Sequence, residues 1–282
     1  MQLYEIKEYL QQQHLEFKDS IVDDLNKLKQ KAVSDSNELL ANEIWCLQEI
    51  YKIQKTYISI YNQLKVGKYF DGWLLLDQID ISFCFLRQNF EYENNLFNLQ
   101  FIERIIKQYE KTFPKYLYIS RESLIKSEKC SICGKKISLR GGCNHKPGNL
   151  YMGELCLKKV MDLEFLGTAI VSNPFDKYAV IHMEGQEYDY SVLKELMKVL
   201  ASPYIAWYVE EMTKKRPEFL HIERNDKCPC GSGKKYKICC MGTDNEYMPH
   251  NRITILGGYE IKEKPIKYSG RFISKKDNQK RG

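Results

Sequence analysis

The chain has 282 residues, 43% of them hydrophobic and 28% charged, enough for one large domain or two to three small ones. Its net charge of +6 is mild, no apolar run approaches the roughly 18 residues of a membrane span, and the segment after Met1 lacks the apolar core of a secretory leader. Membrane-spanning and exported classes are set aside, and the ten cysteines are expected to be cytoplasmic thiols and metal ligands rather than disulfides.

Composition divides the chain near residue 113. None of the eight prolines and only Gly67 and Gly72 of the sixteen glycines lie before Pro114. In this first part a weak apolar period covers 3–31. Leu40, Ile44, Leu47, Tyr51, Ile58, Tyr61 and Leu64 then step by threes and fours, with Gln54 as a polar break, and predict one long helix. Asp35 followed by Glu38 is placed to cap its start. Tyr69, Trp73, Leu76, Ile79, Phe83, Leu86 and Phe90 form a second stripe, and a weaker one covers 96–113. Residues 1–113 are expected to form a bundle of about four helices, with Cys46 and Cys84 as buried, inert thiols in its apolar pattern.

Beyond Pro114 the punctuation thickens, and two cysteine clusters appear. In the first, Cys130-Ser131-Ile132-Cys133-Gly134 is a knuckle whose glycine permits the tight turn that points both sulfurs at one ion. Cys143, His145 and Cys156 follow, five donors for four positions. The preferred set is Cys130, Cys133, His145 and Cys156, with Cys143 as the substitute for His145. Cys156 is expected just before a helix at 157–166. That order is similar to treble-clef zinc fingers, although those usually carry two ligands on the helix. The span 114–168 is taken as this finger.

A small α/β segment is expected at 169–222: strands at 169–171 and 178–181 about a turn at 173–176, then helices at 190–201 and 204–215 divided by Ser202-Pro203. In the second cluster, Cys228-Pro229-Cys230 and Cys239-Cys240 are joined by a Gly231-Ser232-Gly233 turn among lysines. Soft tetrahedral ligation of zinc needs four such donors. The run closely resembles the SEC-C metal-binding motif, known from the C-terminal tail of the SecA preprotein translocase and from many otherwise unrelated bacterial proteins. The resemblance covers about 224–242, with Cys240 where that family often has His. The stretch from Cys130 to Cys156 resembles that of uncharacterised bacterial proteins that join such a finger to a SEC-C end. A basic tail with a hairpin about Gly257-Gly258 is expected at 243–282. The whole reads as a mainly α fold: N-terminal helical bundle, treble-clef-like zinc finger, small α/β segment and SEC-C motif.

Neither cluster reads as catalytic. A catalytic zinc keeps a position open, whereas four cysteines close it, and the His-x-Glu with Pro-Cys-x-x-Cys of zinc deaminases is missing. Gly231-Ser232-Gly233-Lys234 lacks the spacing of a phosphate loop. Arg140 with His145 and Arg216 with His221 show the five-residue spacing of HEPN ribonucleases, but in segments that do not look helical. No catalytic residue is assigned. From Met212 onward 17 Lys and Arg face 8 Asp and Glu, or +9, which leaves −3 for the rest. The expectation is a cytoplasmic two-zinc adaptor whose basic end contacts an acidic protein, ribosome or nucleic acid. In the translocase family that end is associated with an export chaperone, the ribosome and anionic lipid. The alternative is an RNA-acting effector or accessory component of a toxin or phage-defence system.

Overall fold

The structure, a computed structural model, describes residues 1–138, 141–172, 174, 176–181, 185, 187–258 and 271–272. The first part of the chain is helical as the periodicity predicts. It contains α1 (Leu3–Gln11), α2 (Ser20–Ser34), α3 (Glu38–Lys65) and α4 (Tyr69–Asn89), then the two-residue strand β1 (Phe90–Glu91) and α5 (Leu99–Thr112). The 28-residue α3 is the centre. It buries Ile44, Leu47, Ile50, Ile53, Tyr57, Ile60 and Leu64, more than one stripe, because α2, α4 and α5 all pack against it. Its cap is Asn37, whose side chain accepts from the Leu40 amide at 3.1 Å, rather than the expected Asp35 and Glu38 pair. Gln54, the polar break, is buried and donates to the carbonyls of Leu10 and Phe97, each at 2.7 Å.

The remainder overturns the mainly helical expectation. β2 (Leu117–Cys130) is followed by β3 (Lys136–Ile137), β4 (Leu150–Tyr151), β5 (Glu154–Leu155), β6 (Lys158–Val171) and β7 (Val180–Ile181). After α6 (Ser191–Val199) come β8 (Ile205–Lys215), β9 (Tyr247–Gly258) and β10 (Arg271–Phe272). The helix expected at 157–166 is a strand, since β6 pairs antiparallel with β2 along its whole 14-residue length. The helix expected at 204–215 is also a strand, β8, which pairs with β9. Leu, Glu, Met and Lys in both segments favour helix weakly, and pairing with a distant strand overrides that preference. The protein is therefore mixed α and β. The helix expected at 190–201 is present as α6.

The turn at 173–176, the second hairpin strand at 259–261 and Arg140 lie partly or wholly outside the described residues. In the tail, Arg271 and Phe272 pair with Glu91 and Phe90. Among the described residues no helix is long and apolar enough to cross a membrane.

The chain forms two compact units, Met1–Tyr204 with Gly258–Gly282, and Ile205–Gly257. Within the first, α3 satisfies the orphan carbonyls at the end of α6. Tyr61 donates to Leu200 O at 3.0 Å, Lys65 to Met197 O at 2.5 Å, and Tyr57 to Pro203 O. Tyr57→Phe strands the buried Pro203 carbonyl. Urea unfolding is expected to show a loss of about 1–3 kcal/mol with helical content unchanged.

Candidate metal centres

The first cluster is assembled where the β2–β6 ladder meets the helical core. β2 delivers Cys130 at its last residue, opposite Lys158, and the chain turns at once through the knuckle. Backbone bonds shape that turn: Cys130 N donates to Lys135 O at 3.0 Å and Gly134 N to Cys130 O at 2.9 Å. The Ile132 amide points at the Cys130 sulfur, 3.4 Å away. Ser131 ties the knuckle to the strand beyond Cys156, bonding Leu157 through both its amide (2.9 Å) and its hydroxyl (2.8 Å).

Cys130, Cys133, Cys143 and His145 converge so that their donor atoms all lie within 4.8 Å of one another. The Cys130 sulfur stands 3.7 Å from His145 Nδ1. Cys156 is outside that set of four, yet its buried sulfur lies 3.8 Å from that of Cys130. All five candidates are thus brought together at one point, with Cys143 inside the tightest group and Cys156 at its edge. The sequence placed Cys156 in the preferred set and kept Cys143 as the substitute for His145. The Tyr151 ring sets the position of His145 edge-on, with centroids 4.5 Å apart.

The finger is seated on the helices by backbone contacts that require glycine. Gly148 has φ of +87°, its carbonyl accepts from buried Asn89 at 2.8 Å, and a side chain there would collide with Gln88. At Gly153, with φ of +74°, a Cβ would lie 2.9 Å from the Ala41 carbonyl, and the amide donates to Asn42 at 2.7 Å.

The second cluster belongs to the other unit. Lys227 and Lys235 form a β-bridge, Cys228 N donates to Lys234 O at 2.8 Å, and Tyr236 N to Asp226 O at 2.8 Å. This miniature hairpin carries Cys228 and Cys230 to a short 3-10 turn, Tyr236–Ile238, that ends on Cys239 and Cys240. All four sulfurs lie within 4.8 Å of one another. Cys230 to Cys239 is 3.5 Å and Cys239 to Cys240 is 3.8 Å. Sulfurs bound tetrahedrally to one zinc at about 2.3 Å stand about 3.8 Å apart, so the donor set fits such an ion. Among the described residues its apolar cluster adds Phe219, Tyr236 and Ile222 to the cysteines, a core too small to hold the loop by itself.

Sequence reasoning missed the residues that brace this site. Glu246 is buried and its carboxylate receives Lys215 at 2.7 Å, the Tyr236 hydroxyl and the Gly242 amide. The Lys215 side chain, then Tyr236 and the amide, hold its carboxyl down at about 2. Nothing in the local pattern marks Glu246, because its partner Lys215 is 31 positions upstream on β8. Ser232 places its hydroxyl 3.1 Å from the Cys239 sulfur.

Each cluster holds one thiol poised to ionise. Burial pushes Cys130 up, but the amides of Cys133 and Ile132 and the neighbouring thiols bring it to about 6. Cys230 is lowered to about 6 by the hydroxyl and amide of Ser232. Cys156 and Cys240, by contrast, are pushed up to about 12, first by burial and then by adjacent thiols. Cys130 and Cys230 therefore offer the first thiolate, and an arriving cation strips the protons from the rest.

Comparison with known proteins agrees with the second cluster. Residues 224–242 match the family model described as SEC-C motif. The protein translocase subunit SecA of Clostridium botulinum is 60% identical over 35 residues, which is 12% of this chain and 4% of that protein. SecA of Sulfurimonas denitrificans is 84% identical over 19 residues, 7% of this chain and 2% of its own. SecA 1 of Clostridioides difficile is 33% identical over 78 residues, 28% of this chain and 7% of its own. The chain thus spans only a few per cent of the length of these relatives. No solved structure matches. The end of the chain carries a SEC-C metal-binding motif, and the first cluster is a second Cys/His group of metal-binding type outside it.

Because Cys156 and Cys240 must lose protons on binding while Cys130 and Cys230 are ionised down to about pH 6, metal affinity is expected to fall as pH drops below neutral, and more steeply once it passes about 6. Competition with a chromophoric chelator between pH 8 and pH 5, from roughly two units above the thiolate transition to one below it, measures this.

Proposed function

We propose that the protein is a zinc-stabilised adaptor with two structural ions and no reaction of its own. One ion is held by Cys228, Cys230, Cys239 and Cys240. The other is held by Cys130, Cys133 and two of the three donors Cys143, His145 and Cys156. The observation that carries this reading is the convergence of each soft donor set on one point inside a segment with little independent core. At such places the ion supplies the folding energy, and four protein ligands leave no position for substrate or activated water.

The SEC-C end is the contact element of this adaptor. Its turn carries Lys234, Lys235 and Lys237 on the surface, beside a tetrathiolate whose formal charge with zinc is −2. The lysines more than offset that charge and leave a compact basic tip for an acidic protein face, a ribosomal surface or a nucleic acid. The matched relatives are named as translocase subunits, and that likeness supports reading this segment as a contact element. A cytoplasmic setting, where thiols stay reduced, suits both sites.

Elemental analysis of metal-replete protein is expected to return two zinc ions per chain, and one ion or none rejects the reading. Cys239→Ser combined with Cys240→Ser is expected to remove one ion and to open residues 226–241 to hydrogen exchange, while the helices of the first unit stay protected. Loss of all helical circular dichroism would show that the metal sites do not act locally. Affinity purification under rising salt separates the partner classes: RNA released steeply as salt rises supports the RNA-acting alternative, a salt-resistant protein supports the adaptor.

A further inference from the structure

The ribbon of β2 and β6 grows out of the first metal cluster, with Cys130 closing one strand and Cys156 standing just before the other. Side chains alternate across such a ribbon, so the pairing register sorts them into two faces. One face carries Leu117, Ile119 and Ile125 from β2, with Ile119 opposite Ile170, Ser123 opposite Phe165 and Ile125 opposite Leu163. The bulge between Phe165 and Gly167 falls on β6, so β2 alternates unbroken from 117 to 125 and keeps these residues together. The other face offers Ser120, Glu122 and Leu124 opposite Ala169, Gly167 and Glu164.

A sheet with one apolar face normally packs that face on a core. Here it is open, with Phe165 58% and Ile170 70% exposed, and no described residue buries it. Six such side chains amount to an apolar patch on the order of several hundred Å², the size that marks an interaction site. A two-stranded ribbon without a covering layer is also marginal in water. In the middle of this face stands Arg121, opposite Thr168, exposed and without an ion-pair partner among the described residues. From Leu117 to Ile125 the face has no carboxylate.

We propose that this face docks a partner polypeptide segment that is apolar along one side and sets a carboxylate against Arg121. The unpaired guanidinium in apolar surroundings selects the charge, since burying it unmatched is costly. It also argues against a second copy of this chain, which would bring two Arg121 side chains into an interface with no acidic residue on either side. This surface is built from residues other than those of the SEC-C motif, so its failure leaves the reading of that motif standing.

The test uses metal-replete full-length protein and a fluorescent synthetic peptide with leucines along one side and a single central glutamate. The probe for charge is the same peptide with lysine in that place. The glutamate peptide is expected to bind with a dissociation constant on the order of micromolar, and the lysine peptide at least ~10-fold more weakly. Arg121→Glu should reverse the preference, and Phe165→Ser should weaken both peptides while metal content and circular dichroism are unchanged. The protein with Cys239→Ser and Cys240→Ser should bind the glutamate peptide as the parent does. Equal binding of the two peptides, or binding of neither, overturns the proposal. So does Phe165-dependent self-association in sedimentation, or binding to phosphatidylglycerol vesicles in place of the peptide.

Discussion

Convergence of soft donors on single points is the constraint on which the rest of this molecule depends. At both clusters the backbone turns so tightly that sulfurs from separate positions meet within 4.8 Å. Thiols held that close repel one another as they ionise, and only a cation turns the arrangement into a favourable one. The poised thiolates of Cys130 and Cys230, next to strongly raised Cys156 and Cys240, express that tension. In each case the knuckle or turn amides start the process, and the ion completes it.

The two sites differ in what surrounds them. The SEC-C loop is nearly all turn, braced from outside by the buried Glu246 with Lys215 and Tyr236. A carboxylate that accepts an ammonium, a phenol and an amide is fully satisfied, so its burial is tolerated. The first finger instead leans on the helical core. Asn89 and Asn42 reach its backbone, and Gly148 and Gly153 let that backbone come close. A metal ion at the first site would therefore hold more than a loop, because it would also fix the base of the β2–β6 ribbon against α3 and α4.

That arrangement gives the protein two kinds of surface. The basic SEC-C tip is exposed and electrostatic, so the contact proposed for it is one that salt would weaken. The ribbon is apolar with one isolated guanidinium, a contact that salt would leave largely intact.

The helices of the first part were legible from period alone, because α3, α4 and α5 bury continuous stripes and no proline or glycine cluster interrupts them. The cysteine spacings likewise announced both metal clusters, since ligand type and tight-turn glycines are local properties. Local pattern failed at β6 and β8, whose Leu, Glu, Met and Lys content suits a helix while their ladders lie with strands 40 or so residues away in sequence. It left open the choice among Cys143, His145 and Cys156, which local spacing does not rank. Glu246 was invisible for the same reason. The chain by itself determined which residues can bind metal and where the long helices of the first part run, because both follow from neighbours within a few positions. Only the tertiary structure decided which strands pair, which donors meet and which apolar face stays open, because those depend on contacts that local spacing does not encode.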